Sequence, residues 1–181
     1  MPLEYDLFSF RLGSLTAPAG CGKTQIIADT LSRHVGSRPV LILTHTNAGV
    51  TALRQRMRRG NVPTSAYRVT TLDGFAMRLV STFPQRSGIT ALTLELRTPA
   101  TDYPAIRLAA CALVQAGHVS DTLAATYAHL IVDEYQDCNL LQHALITAIS
   151  SVLPTCVLGD PMQAIFGFGG NQLVDWNVHV L

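Results

Sequence analysis

The segment Ala17-Pro-Ala-Gly-Cys-Gly-Lys-Thr24 indicates the fold class of this chain. It follows a short apolar run at residues 12–16 and opens a helix-like pattern at residues 23–35. A glycine-rich loop between a strand and a helix can surround phosphate groups, because its backbone N–H groups and the helix N-terminus face the same anion. The strict pattern begins with glycine, where this chain has Ala17. We therefore predict a phosphate-binding P-loop, with a glycine-rich turn that binds no ligand as the alternative interpretation.

The residues of this loop have different predicted roles. Lys23 places a positive charge on the β- and γ-phosphates of a nucleotide, and the hydroxyl of Thr24 is a ligand for Mg²⁺. Gly20 and Gly22 allow the backbone to approach the phosphates closely. Lys23 is also the only lysine, because the remaining basic residues of the chain are all arginines. The predicted nucleotide-binding residues are Ala17, Pro18, Ala19, Gly20, Cys21, Gly22, Lys23 and Thr24.

Apolar runs alternate with helical patterns on both sides of the segment 84–128. Runs such as Val40-Leu-Ile-Leu-Thr44 are nearly all apolar, as expected for parallel strands that are buried on both faces. This alternation predicts an open parallel sheet with helices on both of its faces. We predict strands at residues 12–16, 39–44, 68–72, 129–133 and 155–159, and helices at residues 23–35, 48–59, 73–83 and 140–151.

The segment 84–128 interrupts the alternation. It contains turn-forming residues such as Pro84, Gly88 and Pro99, and one alanine-rich helical pattern at residues 103–116. We predict a small helical insertion within a single domain that covers residues 1–181.

A second motif, His129-Leu-Ile-Val-Asp-Glu-Tyr-Gln-Asp137, places two adjacent carboxylates at the end of an apolar strand. Asp133 could hold Mg²⁺ there, and Glu134, which points the other way, could polarise the attacking water. An ordinary acidic strand end is the alternative. Because the motif follows a P-loop in a chain of alternating strands and helices, we favour the catalytic interpretation.

Composition favours a globular protein with a nucleic-acid partner. Of the 181 residues, 48% are hydrophobic and 14% are charged, which excludes disorder and coiled coil as the main organisation. No apolar run is long enough to cross a membrane, and no basic segment typical of a signal peptide is present at the start, so we expect a cytoplasmic protein. Residues 33–97 hold ten arginines against Asp73 and Glu95, which suggests a polyanionic partner. Alternatively, the arginines from Arg54 to Arg59 are only the solvated face of one helix.

The motifs resemble, in order, those of the first motor domain of superfamily 1 helicases of the UvrD/Rep/PcrA type. That family has a P-loop, then T-x-T-N, T-F-H-S-F, D-E-[FY]-Q-D and G-D-x-x-Q-S-I-Y-x-[FW]-R-G. The resemblance covers residues 12–171, nearly the whole chain. The matching stretches are Ala17–Thr24, Thr44-His-Thr-Asn47, Thr71-Leu-Asp-Gly-Phe75, Asp133-Glu-Tyr-Gln-Asp137 and Gly159-Asp-Pro-Met-Gln-Ala-Ile-Phe-Gly-Phe-Gly-Gly170.

The resemblance implies a RecA-like fold and roles for further residues. Gln163 would sense the γ-phosphate, which makes Lys23, Glu134 and Gln163 the catalytic candidates. Gln136 and Asp137 would couple the nucleotide site to a second motor domain. Contacts to single-stranded DNA would come from Thr46, Asn47, Phe75, Phe166 and Phe168. Core packing is the alternative for the three phenylalanines.

The resemblance also implies a function, namely ATP-dependent and Mg²⁺-dependent 3′-to-5′ translocation on DNA and unwinding. Some positions depart from the family pattern, because His45 replaces an aromatic residue, Asp73 replaces a histidine, and Gly169 replaces an arginine. The sequence given holds no second motor domain after Leu181, so we expect the chain to be incomplete for unwinding. Two alternatives remain, a P-loop ATPase that is not a helicase and a degenerate ATP-binding module that needs a partner.

Overall fold

The computed structural model describes residues 6–18, 20–34, 36–163 and 172–180. Within these residues, five parallel strands form one sheet in the order β1-β5-β4-β2-β3. The strands are β1 (Leu12–Thr16), β2 (Val40–Thr44), β3 (Tyr67–Thr71), β4 (Leu130–Val132) and β5 (Thr155–Gly159). All five lie at the predicted places, and two of them have the predicted bounds.

Helices cover both faces of this sheet, as the alternating pattern predicted. On one face, Val40, Ile42 and Leu158 pack against the first two helices, and on the other face Leu41, Leu43 and Val157 pack against later ones. The helices are α1 (Lys23–Ser32), α2 (Asn47–Arg59), α3 (Leu72–Thr82), α4 (Pro84–Ser87), α5 (Ala91–Leu94), α6 (Pro99–Gln115), α7 (Ser120–Thr126), α8 (Leu140–Ser150) and α9 (Trp176–His179). The predicted α/β class with a parallel sheet is therefore confirmed.

Burial explains why this order of strands is stable. Strands β2, β4 and β5 are buried along their whole length, whereas the edge strands β1 and β3 alternate with more exposed residues. Ile42 and Ile131 are in register, so their side chains lie on the same face of the sheet. The continuous apolar runs that predicted the fold are these three central strands.

The segment between α3 and β4 differs from the prediction, because it contains the four helices α4 to α7 rather than one. Helix α6 begins at Pro99, earlier than the predicted 103, and continues through Pro104. Pro99 is in the first turn, where a missing N–H costs little, and the carboxylate of Asp102 accepts the N–H of Thr98 at 2.8 Å. Buried residues such as Ile106 and Leu113 pack α6 against α3 and α8, which compensates for the hydrogen bond that Pro104 cannot donate.

The carboxyl ends of four strands bring the sequence motifs to one edge of the sheet. The P-loop follows β1, the segment from Thr44 to Asn47 follows β2, Asp133 follows β4, and Asp160 follows β5. In open α/β sheets ligands bind at this edge. In the described ranges, no helix is both long enough and apolar enough to span a lipid bilayer.

Candidate nucleotide-binding site

The P-loop has the backbone conformation that its two glycines permit. Gly20 and Gly22 have φ angles of +76° and +80°, in the left-handed region that favours glycine. Gly22 is also the N-cap of α1, and its carbonyl accepts the N–H groups of Gln25 at 2.8 Å and of Ile26 at 3.0 Å. The first turn of the helix therefore starts directly at the loop. Cys21 is exposed, and Ala19 lies outside the described residues.

Lys23 lies inside the loop rather than on the surface. Its side chain is 7% exposed, and its ammonium donates to the carbonyl oxygen of Ala17 at 3.2 Å. The same ammonium is 3.8 Å from Oε2 of Glu134, so the cation already faces the carboxylate that follows β4. The P-loop and the second motif are thus joined electrostatically before any ligand is bound.

A cavity of about 240 Å³ lies above this pair. The side chain of Arg56, from α2, donates to Oε1 of Gln25 at 2.9 Å beside the loop. The sequence did not predict Gln25 or Arg56 as site residues, because the arginines of α2 were also compatible with a solvated helix face. The structure shows why, since α2 packs beside α1 and directs this one arginine to the cavity. The lining residues are Gly20, Gly22, Lys23, Thr24, Gln25, Arg56, Glu134 and Gln163.

Asp133 has the properties of a ligand for a hard cation. It is 6% exposed, its backbone N–H donates to the carbonyl of Leu43 at 2.8 Å, and its Oδ1 has no hydrogen-bond partner among the described residues. Burial, with a smaller contribution from Glu134, raises the pKa of the Asp133 carboxyl to about 6, whereas Lys23 acts in the opposite direction. A buried carboxylate oxygen without a donor fits Mg²⁺, which binds through one or two protein oxygens together with water and phosphate.

Glu134 adopts an uncommon backbone conformation. Its φ of +56° and ψ of 45° are left-handed, a strained conformation for a residue with a side chain. Its Oε2 accepts a hydrogen bond from Nε2 of Gln136 at 2.8 Å, and Oε1 of Gln136 accepts the N–H of Asp160 at 3.0 Å. The conformation turns the carboxylate toward the cavity while Gln136 holds it.

The two predicted coupling residues have different environments. Gln136 is buried and connects the end of β4 to the end of β5 within this chain, whereas Asp137 is exposed in the following 3₁₀ turn. Gln163, which lines the cavity, also lies in a 3₁₀ turn, and its N–H donates to the carbonyl of Asp160 at 2.9 Å. Gln136 is therefore two hydrogen bonds away from the turn that carries Gln163.

The predicted DNA contacts are only partly together. Thr46 and Asn47 are exposed after β2, where the Thr46 hydroxyl accepts the N–H of Gly49 at 3.0 Å and caps α2. Phe75 is 4% exposed and packs in the core, which is the alternative that the sequence left open for it. Phe166 and Phe168 lie outside the described residues.

Two positions that depart from the family pattern are partly buried. Asp73 accepts a bidentate pair of hydrogen bonds from Arg107 of α6, at 2.6 and 2.7 Å. Nε2 of His45 is 3.4 Å from Sγ of Cys138, and burial lowers the pKa of His45. Asp73 therefore ties the insertion to α3, a partnership across 34 positions that the sequence did not predict.

Comparison with known proteins identifies relatives of limited overlap. The chain is 34% identical over 67 residues to an ATP-dependent helicase/nuclease subunit of Leuconostoc mesenteroides, which covers 37% of this chain and 5% of that protein. It is 40% identical over 52 residues to proteins of the same description from Lacticaseibacillus casei and Lacticaseibacillus paracasei, covering 28% of this chain and 4% of each relative. The chain thus spans only a small part of the length of these relatives.

A family match covers far more of the chain. A sequence model described as an AAA domain matches residues 7–169, which include the P-loop, the segment after β2, the second motif and Gln163. The chain therefore belongs to this AAA-domain family and is a UvrD-like motor domain of superfamily 1.

Proposed function

We propose that this chain binds ATP with Mg²⁺ and hydrolyses it as the motor domain of a 3′-to-5′ DNA helicase. The observation that carries the proposal is the cavity that Lys23, Glu134 and Gln163 line together. These residues come from three separate segments of the chain, and each corresponds to a different chemical task in phosphoryl transfer.

The loop and its lysine account for phosphate binding. The left-handed conformations of Gly20 and Gly22 allow the N–H groups of the loop to face phosphate oxygens. On binding, a phosphate oxygen would replace the carbonyl of Ala17 as the acceptor for the Lys23 ammonium. Arg56 supplies a second cation at the same cavity, at the distance from the loop that Gln25 fixes.

Asp133 and Thr24 would hold Mg²⁺, which supplies neutralisation of the charge on the phosphates when bound. Glu134 would orient the attacking water and accept its proton at Oε1 or Oε2. The hydrogen bond from Gln136 keeps the carboxylate directed to the cavity before the water arrives. Gln163 approaches from the end of β5 and would contact the γ-phosphate.

Single-stranded DNA would cross the carboxyl edge of the sheet over Thr46 and Asn47, which are both exposed there. The resemblance alone supports the 3′-to-5′ direction. We also propose that residues 1–181 form one domain with residues 84–128 as its helical insertion, and that a second motor domain or a partner protein closes the cavity from the opposite side. Asp137, exposed beside Gln136, would face that second unit.

A nucleotide titration tests this proposal. With Mg²⁺ and a fluorescent ATP analogue, Lys23→Ala should weaken binding about 10- to 100-fold, as expected for the loss of charge-assisted hydrogen bonds. Arg59→Ala is the matched control, because it removes an exposed cation that does not line the cavity. Equal affinity of the Lys23→Ala variant and the unmodified chain would contradict the proposal.

A further inference from the structure

The largest basic cavity in the described part of the chain is separate from the nucleotide site. It has a volume of about 460 Å³ and follows the open edge of β3, between α2 and α3. We call it the arginine groove. Its defining residues are Arg54 and Arg58 of α2, Arg68 of β3 and Arg78 of α3.

No carboxylate lines the arginine groove within the described residues. The nearest acidic residue along α3, Asp73, is already paired with Arg107 by two hydrogen bonds. Arg58 and Arg78 are exposed, and their guanidinium groups have no hydrogen-bond or ion-pair partner in the part of the chain that the structure describes. The positive charge of the groove is therefore not compensated by the protein.

The remaining two arginines are fixed by the backbone. Arg54 donates to the carbonyl of Val69 at 3.0 Å, and Arg68 donates to the carbonyls of Thr64 and Tyr67 at 2.9 Å each. Arg54 thus lies across the free edge of β3 and occupies an acceptor that an added strand would need. This arrangement disfavours a peptide that extends the sheet.

The shape of the groove favours a phosphate backbone over bases. The rings of Tyr67, Phe75 and Tyr127 contribute to its wall but are buried, so they offer no free face for a base to stack on. Arg54 and Arg58 are one helical turn apart, about 6 Å along α2. Two cations at this spacing can each meet a phosphate of an extended strand.

The groove is also continuous with the proposed DNA path. Helix α2 begins at Asn47, at the carboxyl edge of the sheet, and runs from there past Arg54 to Arg58. At the other side, Gly74 and Phe75 line the groove at the start of α3. A strand that passes Asn47 can therefore continue along α2 without a change of direction.

We propose that the arginine groove binds the sugar–phosphate backbone of a nucleic-acid strand, without sequence preference, as a contact additional to the path over Thr46 and Asn47. This inference rests on the proposed function only in taking DNA as the ligand. Arg58 and Arg78 are the binding cations, and Arg54 and Arg68 shape the wall.

The test measures fluorescence anisotropy of a labelled oligo(dT) longer than about 16 nucleotides, titrated with the full chain at several salt concentrations. The double variant Arg58→Gln/Arg78→Gln should weaken binding about tenfold or more at low salt and reduce the slope of log K against log salt by about 1.4, since each single-strand phosphate contact contributes about 0.7. Arg59→Gln, one residue along α2 and outside the groove, is the matched control and should change neither quantity to this extent. Unchanged thermal melting and binding of the ATP analogue would show that the variants are folded.

The outcomes separate the groove from the proposed DNA path. Unchanged affinity in the double variant, or an equal loss in Arg59→Gln, would overturn the groove, even where Asn47→Ala weakens binding and so supports the path. A loss in the double variant with no effect of Asn47→Ala would support the groove and contradict the path. Equal competition by an oligoglutamate of the same charge would overturn the assignment to a nucleic-acid strand.

Discussion

The Asp133 carboxylate combines burial with an oxygen that has no hydrogen-bond partner among the described residues. Its pKa is raised from 3.8 to about 6, mainly by burial. The folded, metal-free protein therefore binds this proton more tightly than the unfolded chain does. The stabilising contribution is present below about pH 4 and is lost as the pH rises through about 6.

Replacement of Asp133 should remove this pH dependence. In EDTA, the unmodified chain should lose up to about 3 kcal/mol more stability between pH 4 and pH 7.5 than Asp133→Asn does, as the size of the pKa shift requires. Denaturant unfolding at the two pH values measures the difference, and Asp121→Asn, an exposed acid, is the control. A difference that is the same in all three proteins would exclude Asp133 as the source.

Several residues of the site could be identified from the sequence because their roles depend on local order. Gly20, Gly22 and Lys23 lie in a continuous loop, and Asp133 and Glu134 directly follow a strand, so spacing alone placed them at the sheet edge. Arg56 and Arg107 could not be found in this way. Their positions depend on how α2 packs beside α1 and how α6 packs on α3, which no local pattern contains.

At the scale of elements, the ends of β4 and β5 are held together by a close contact at Gly159. A Cβ atom there would lie 2.5 Å from the ring of Trp176 and 2.6 Å from Oε1 of Gln136. Both neighbours are constrained, since Trp176 packs against Tyr135 and the amide of Gln136 is hydrogen-bonded at both ends. Only a residue without a side chain fits between them.

Gly159→Ala should therefore destabilise the protein by about 1–3 kcal/mol, the usual cost of overpacking a buried position. It should also weaken binding of the ATP analogue, because Gln136 must move away from Glu134 and Asp160. Gly60→Ala is the control, since φ there is −81° and the nearest atom to an added Cβ is at 3.5 Å. Thermal unfolding of both variants checks this, and equal stabilities would contradict the contact.

The central elements were predictable, whereas the insertion was not. Strands β2, β4 and β5 are buried on both faces and so appear in the sequence as continuous apolar runs. In the insertion, Pro99 and Pro104 suggested a later helix start, but packing of α6 against α3 and α8 outweighs the local preference. Short helices such as α4 and α5 have no buried residues and leave no apolar periodicity.

At the scale of the whole molecule, one side of the nucleotide cavity is formed by residues of this chain. An arginine from a second motor domain, which the resemblance implies, would add a rate factor of about 10³–10⁵ by neutralising charge in the transition state. We therefore expect the 181-residue chain alone to bind ATP but to hydrolyse it at least about 10³-fold more slowly than a complete relative.

Steady-state ATPase measurements with and without DNA check this expectation. Glu134→Gln should change the already low rate very little, and addition of a complementary second domain should restore both the rate and its dependence on Glu134. Lys23→Ala provides the background rate. Rapid hydrolysis that DNA stimulates, or strand separation by the chain alone, would contradict the need for a second unit.

The position of Gln136 has a consequence for the timing of a catalytic cycle. Its amide is bonded at both ends, to Oε2 of Glu134 and to the N–H of Asp160, and its side chain is almost completely enclosed. When Glu134 turns to a water molecule, we expect the amide nitrogen to lose its acceptor while the amide oxygen keeps Asp160. Rotation about one side-chain torsion then separates a resting from an activated state of the domain. The relaxation of that torsion sets a minimum delay between the capture of water and any movement of Gln163.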